Sequence, residues 1–227
     1  MMITLENVSK IYLKRGVVVS ALKNINLNIY EHEYITIIGP SGSGKTTLLN
    51  IIGTIDNPTE GKIYIEREEV LFLKDTLLSK FRREKIGFVF QSFNLINDLK
   101  VWENVSLPLY YSGEKRKKIL KEKALQILYK VGLEKRVEHF PTELSAGEEQ
   151  RVAIARALIN NPKIILADEP TGNLDTKTSD EIIKLFEILY ETERVTLIIV
   201  THNPEISKRA KKIIHLVDGE IKNIKEN

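Results

Sequence analysis

Nine residues, Gly39-Pro40-Ser41-Gly42-Ser43-Gly44-Lys45-Thr46-Thr47, constrain this chain more than any other stretch. They follow an apolar run, Tyr34 to Ile38, that reads as a strand. They lead into Leu48-Leu49-Asn50-Ile51-Ile52, which reads as a helix. Glycine, four residues, then Gly-Lys-Thr is the spacing of a phosphate-binding loop between such a strand and helix. The glycines let the backbone turn tightly enough for successive N–H groups to point at one anion. The helix adds the positive end of its dipole. Lys45 is then placed for the β- and γ-phosphates, and the Thr46 hydroxyl for Mg²⁺. This stretch is expected to bind a nucleoside triphosphate.

The length of 227 residues, 42% of them hydrophobic, suits one α/β domain or a domain carrying a subdomain. Lys and Arg number 34 against 31 Asp and Glu, and a net charge of +3 is too small to imply nucleic acid. The run Lys115-Arg116-Lys117-Lys118 reads as a solvated helix face. Without cysteine, disulfides and thiolate chemistry are excluded, and four histidines make a zinc site improbable. Met1 to Glu6 lacks the pattern of a signal peptide. No apolar run approaches the ~20 residues of a membrane span, so a soluble, cytoplasmic chain is expected.

Residues 2–8 and about 18–29 read as strands, with Leu22, Ile25, Leu27 and Ile29 alternating with polar residues and a polar turn at Leu13 to Gly16. Asp56 to Gly61 reads as a turn before a strand at Lys62 to Ile65, and Ile86 to Phe90 as a buried strand. A mostly helical region is predicted from about Val101 to Asn160; within it Ile119, Leu120, Ala124, Ile127, Leu128 and Val131 recur at helical spacing. Ile164 to Ala167 and Thr196 to Val200 are continuous apolar runs, as central parallel strands require. The helical pattern at Thr178 to Glu191 is expected to join them as a crossover. Ile213 to Ile224 looks like a hairpin through Asp218-Gly219.

Asp168 and Glu169 end the apolar strand at 164–167, where open α/β sheets bind ligands. Asp168 is placed to hold Mg²⁺, directly or through water, and Glu169 to polarise a water attacking the γ-phosphate. His202 follows the next strand and is expected on the same sheet edge as a γ-phosphate contact. Leu144-Ser145-Ala146-Gly147-Glu148 heads a helix, and Ser145 with Glu148 forms a capping box. That explains two residues without a ligand. It does not explain Gly147, which costs about 1 kcal/mol against alanine in a first turn. A phosphate close to the backbone would.

With these stretches in this order, the chain resembles the ATP-binding subunits of ABC transporters. The resemblance rests on the loop at 39–47, Gln91 after a strand, Leu144 to Glu148 with Glu149 to Leu158 behind it, Ile165 to Asp175, and His202, and it covers essentially the whole chain. Glu103-Asn104-Val105 and the form Gly172-Asn173-Leu174-Asp175 look most like the lipoprotein-release and macrolide-export ATPases. The resemblance implies an α/β fold: a P-loop core with a mostly parallel sheet, an N-terminal antiparallel β-subdomain and an inserted α-helical subdomain at about 92–160, all one ATP-binding domain over residues 1–227.

It further implies that Tyr12 stacks on adenine, although from sequence alone an aromatic covering the core explains Tyr12 as well. Gln91 would contact Mg²⁺ and the attacking water, Asp168 and Glu169 would be the acidic pair, Asp175 the aspartate that follows them, and His202 the switch histidine. Ser145, Gly147 and Glu148 would meet the ATP held by another subunit, so a head-to-tail dimer around two ATP molecules is expected, with catalysis resting on Glu169, His202, Gln91 and Lys45. A separate membrane permease is the implied partner, with the chain peripheral on the inner face of the cell membrane. Phe93, Leu95 and Ile96 serve equally well as a groove for that permease or as a tie between the helical region and the core. An ATPase driving a membrane signalling complex of cell-division type, without transport, is the alternative. Ala146 replaces the glycine usual in the family; it is expected to be tolerated if its torsions are ordinary, not at positive φ.

Overall fold

The structure, a computed structural model, describes residues 1–14, 16–70 and 75–227. The chain forms two compact units, one of Met1–Arg82 with Thr196–Asn227 and one of Arg83–Val195.

The first unit contains an antiparallel sheet of β1 (Ile3–Lys14), β2 (Val17–Ile29), β4 (Glu60–Ile65) and β5 (Glu68–Glu69), in the order β2-β1-β4-β5. Its register puts Ile3 between Ile29 and Ile65, and Leu5 between Leu27 and Ile63. All six are buried, so three strands present one apolar face. The turn expected at Leu13 to Gly16 is tighter than the sequence suggested, because pairing continues through Lys14↔Val17; Arg15 lies outside the described residues.

The same unit carries strands in the order β10-β9-β3-β8: β10 (Glu220–Glu226), β9 (Lys212–Val217), β3 (Tyr34–Ile38) and β8 (Thr196–Val200). β3 runs parallel to both β8 and β9, and β9 turns into β10 through Asp218-Gly219, both at positive φ. Every residue of β8 is buried, as is β3 up to Ile37, which explains their unbroken hydrophobicity. Helix α1 (Lys45–Ile52) follows β3, and α7 (Pro204–Arg209) follows β8. The short α7 was not anticipated, and neither was α2 (Asp75–Lys85), of whose side chains only Leu78 is buried.

In the second unit β6 (Ile86–Val89) lies parallel to β7 (Ile164–Asp168), with Val89 opposite Ala167. Around them stand α3 (Val101–Tyr111), α4 (Lys117–Lys130), α5 (Ala146–Leu158) and α6 (Thr176–Glu193). The predicted stripe on α4 is realised: Leu120, Ala124, Ile127 and Leu128 are buried. Asn104 of α3 is fully buried and pins the preceding loop. Its amide takes the Ile96 N–H and donates to the Ile96 and Leu99 carbonyls at 2.8, 3.0 and 2.9 Å. An apolar residue of that size would leave those backbone groups unpaired, which is why an asparagine occupies the core there.

Candidate functional site

The loop after β3 is shaped by its glycines. Gly42 and Gly44 sit at φ 78 and 99, torsions that a side chain disfavours, and Gly44 caps α1. At Gly39 the constraint is proximity, since a Cβ would stand 1.9 Å from the Leu216 carbonyl of β9. The Lys45 ammonium curls back into the loop and donates to the Gly39 and Pro40 carbonyls, each at 2.9 Å. Lys45 is 8% exposed, so its charge is held largely out of water by two neutral acceptors. The Ser43 hydroxyl is buried with no hydrogen-bond partner. A Cβ on Gly42 would meet nothing within 4 Å. A buried cation, an unpartnered hydroxyl and an open glycine face beside a helix N-terminus fit the phosphates of ATP. Pro40, Ser41 and Thr46 are exposed along this loop, and Thr47 is half-buried at the start of α1.

Tyr12 is not a core residue. It is 36% exposed, and its hydroxyl donates to Asp56 at 2.6 Å. Lys10 donates to the other Asp56 oxygen at 2.6 Å and lies 4.9 Å from the Tyr12 ring centre. Burial and the Asp56 bond push the phenol above its ordinary pKa, while a hydrogen bond from Thr47 opposes the shift. Asp56 is itself held low: burial pulls its pKa up, but the bonds from Lys10 and Tyr12 outweigh that.

His202 follows β8 and is exposed. Its position is set by Thr201, whose hydroxyl accepts the Asn203 N–H at 3.0 Å, and by Asn203, which caps α7. Because Ile37 pairs with Val200 in parallel register, Gly39 and His202 leave the sheet at the same carboxyl edge. The phosphate loop and His202 thus share one sheet edge in the first unit.

A second set gathers at the carboxyl edge of β6 and β7. Asp168 and Glu169 are half-buried there, and Gln91 leaves the neighbouring strand. Glu169 stands at φ 44, a left-handed torsion held by the Gly172 N–H bonding its carbonyl at 3.0 Å. Such strain in a non-glycine residue, of order 1–3 kcal/mol, persists where the surroundings dictate it, commonly at functional positions. Asn173 donates to the Gln91 carbonyl at 3.0 Å. Gly172 leaves room for the Gln91 amide, which stands 2.8 Å from where a Cβ would be. Gly172 and Asn173 stand out in the sequence only as part of the run Gly172 to Asp175, not as site residues of their own.

Ser145 caps α5, and the capping box forms as read: the Ser145 N–H donates to Glu148 at 2.9 Å and the Ser145 hydroxyl accepts the Glu148 N–H at 3.4 Å. Arg136 adds an ion pair to Glu148 at 2.7 Å. Ala146 opens the helix with φ outside the positive range, so its methyl group meets no backbone penalty. Gly147 is buried, and a Cβ there would stand 2.5 Å from the Thr178 methyl. Thr178 is fixed by Asp175, the N-cap of α6, whose carboxylate accepts the Thr178 N–H at 3.0 Å and its hydroxyl. Gly147 therefore has a packing reason as well as any ligand reason.

A glycine-rich loop of this geometry, between a parallel strand and a helix, defines a P-loop nucleotide-binding protein. Residues 22–172 match the family model described as ABC transporter. Over 227 residues the chain is 52% identical to the uncharacterized ABC transporter ATP-binding protein MJ0796 of Methanocaldococcus jannaschii, covering 97% of this chain and 95% of that one. Two solved structures of MJ0796, one a dimer and one a dimeric post-hydrolysis state bound to ADP and Pi, each superpose at a TM-score of 0.92 over 99% of this chain and 98% of theirs, with 49% and 48% identity. The lipoprotein-releasing system ATP-binding protein LolD of Geobacter metallireducens is 48% identical over 89% of this chain and 90% of its own. The macrolide export ATP-binding/permease protein MacB of Bdellovibrio bacteriovorus is 47% identical over 97% of this chain but 33% of MacB. The chain belongs to the ABC transporter family, as an ATP-binding ATPase cassette. Its α/β fold, with an antiparallel sheet and mostly parallel strands flanked by helices, is the one expected.

Two predictions follow from α5. Gly147→Ala should destabilise the protein by about 1–3 kcal/mol through overpacking, and Thr178→Ser, which removes the opposing methyl, should restore most of that in thermal unfolding. Recovery of stability without recovery of ATPase would separate packing from ligand contact. The Glu148 carboxylate is held below its ordinary 4.5, chiefly by the Ser145 N–H and against the pull of burial, with Arg136 adding to it. Its contribution is present above that ordinary value and lost as pH falls through the lowered one. Glu148→Gln should therefore lower Tm at pH 7 and converge with the parent protein at acid pH.

Proposed function

We propose that two copies of this chain close head-to-tail around two molecules of Mg-ATP, hydrolyse them, and drive a separate membrane permease of the lipoprotein-release or efflux type. The observation that carries this is near-complete superposition on a cassette solved as a dimer, including one with ADP and Pi. Among the described residues no helix is long and apolar enough to cross a membrane, whereas the match to MacB spans only a third of a protein whose name includes a permease. The likeness to LolD, named as the ATP-binding protein of a lipoprotein-releasing system and matched over 90% of its length, supports a permease supplied by another chain, with this one at the inner face of the membrane. The identities to LolD and MacB support the transporter type.

In this reading the whole chain works as one ATP-binding domain. Gly39 to Thr47 hold the phosphates, Lys45 trading its two loop carbonyls for phosphate oxygens, and Tyr12 stacks on the base. Glu169 accepts a proton from the water whose oxygen attacks the γ-phosphorus, and the bond to the ADP oxygen breaks. His202 steadies the γ-phosphate, and Gln91 orients the water. Ser145, Gly147, Glu148 and Asp175 serve the ATP of the opposing copy. Among the described residues no group of three or more carboxylates or histidines could hold a metal alone. Magnesium needs none, since it is held through one or two carboxylates together with phosphates and water; Asp168, Thr46 and Gln91 are suited to it, and bound there it would neutralise charge on the phosphates. Closure follows because ATP meets both copies only in the closed dimer.

Glu169→Gln removes the base and keeps the shape. It should bind Mg-ATP, lose turnover by at least about a hundredfold, and elute as a dimer in saturating Mg-ATP. A monomer by light scattering under those conditions would contradict the sandwich.

A further inference from the structure

Arg156, in the last turn of α5, reaches out of its helix to the loop between β6 and α3. Its Nη2 donates to the Phe93 carbonyl at 2.6 Å and its Nη1 to the Asn94 carbonyl. Phe93 and Asn94 are successive left-handed residues, at φ 59 and 52, with no glycine to relieve the strain. Burial lowers the pKa of the guanidinium, so the two carbonyls replace water that it has largely lost. The guanidinium reaches the two carbonyls through two separate nitrogens held in one plane, a spacing that a single lysine ammonium does not reproduce.

The same loop is held at two other points. Asn173 grips the Gln91 carbonyl, and Asn104 grips Ile96 and Leu99. Arg156 alone of these three comes from the helix capped by Ser145, about 17 Å away along α5 at the rise of an α-helix. We propose that Arg156 is a positioning residue for hydrolysis: it fixes the Gln91 loop to α5, so that displacement at the Ser145 end is passed to Gln91. The inference rests on the part assigned above to Gln91.

The test is steady-state Mg-ATP hydrolysis by the full chain, with hydrogen exchange read at residues 92–96. Arg156→Lys keeps the charge and replaces the planar two-nitrogen fork with a single ammonium on a different stem. It is expected to lower kcat about tenfold, the scale of a reacting group misplaced rather than removed, with KM within about twofold and faster exchange in the loop. On a Gln91→Ala background it should cause no further loss, because both changes act on one step. A full tenfold effect on that background, or an unchanged kcat despite faster exchange, overturns the proposal. Asn173→Ala loosens the loop from its other end at an exposed residue, and it should lower kcat without adding to Arg156→Lys; an unchanged kcat there counts against loop positioning altogether. Gln91→Ala with undiminished turnover would overturn the role of Gln91 and this inference with it. A slow Gln91→Ala beside a fast Arg156→Lys overturns this inference alone.

Discussion

Parallel pairing is the constraint on which the rest depends. β3 aligned with β8 sends the phosphate loop and His202 out at one carboxyl edge, and β9 on the other side presses its Leu216 carbonyl against Gly39. β6 aligned with β7 does the same for Gln91 and the pair Asp168-Glu169. In each unit, residues far apart in sequence become neighbours because two strands share a direction and a register. The chemistry is then a matter of which side chains stand at the strand ends.

Those strand ends are also where the sequence was most legible. A Gly-Lys-Thr loop after an apolar strand, two acids closing another, and Ser-x-x-Glu ahead of a helix are local patterns, and local patterns survive without tertiary information. The hairpin through Asp218-Gly219 and the stripe on α4 were legible for the same reason. What escaped were contacts. The left-handed torsion of Glu169 leaves no mark on residue choice, since glutamate is not a residue that prefers it. Arg156 and the carbonyl of Phe93 are 63 residues apart, and nothing in the sequence joins them. Helices α2 and α7 were missed because one is mostly polar and buries a single residue and the other spans only six.

Gly147 shows how a functional and a structural reason can share one residue. The sequence suggested a phosphate; the structure supplies the Thr178 methyl at 2.5 Å from a Cβ. The two are compatible, since a helix end packed closely on α6 is a rigid end, and a rigid end is what preorganised anion binding needs. Asp175 likewise caps α6 while being proposed to serve the ATP of the opposing copy. Ser145, Gly147 and Asp175 would be kept by stability alone, so loss of activity on mutating them does not by itself identify a ligand contact.

The central claim is that the loop at 39–47 holds ATP through Lys45. Equilibrium titration of the purified chain with a fluorescent ATP analogue and Mg²⁺, comparing it with Lys45→Ala at equal thermal stability, tests this most directly. Affinity should fall at least about tenfold, the loss of one charge-assisted contact to phosphate. Equal affinity in the two proteins would contradict the account.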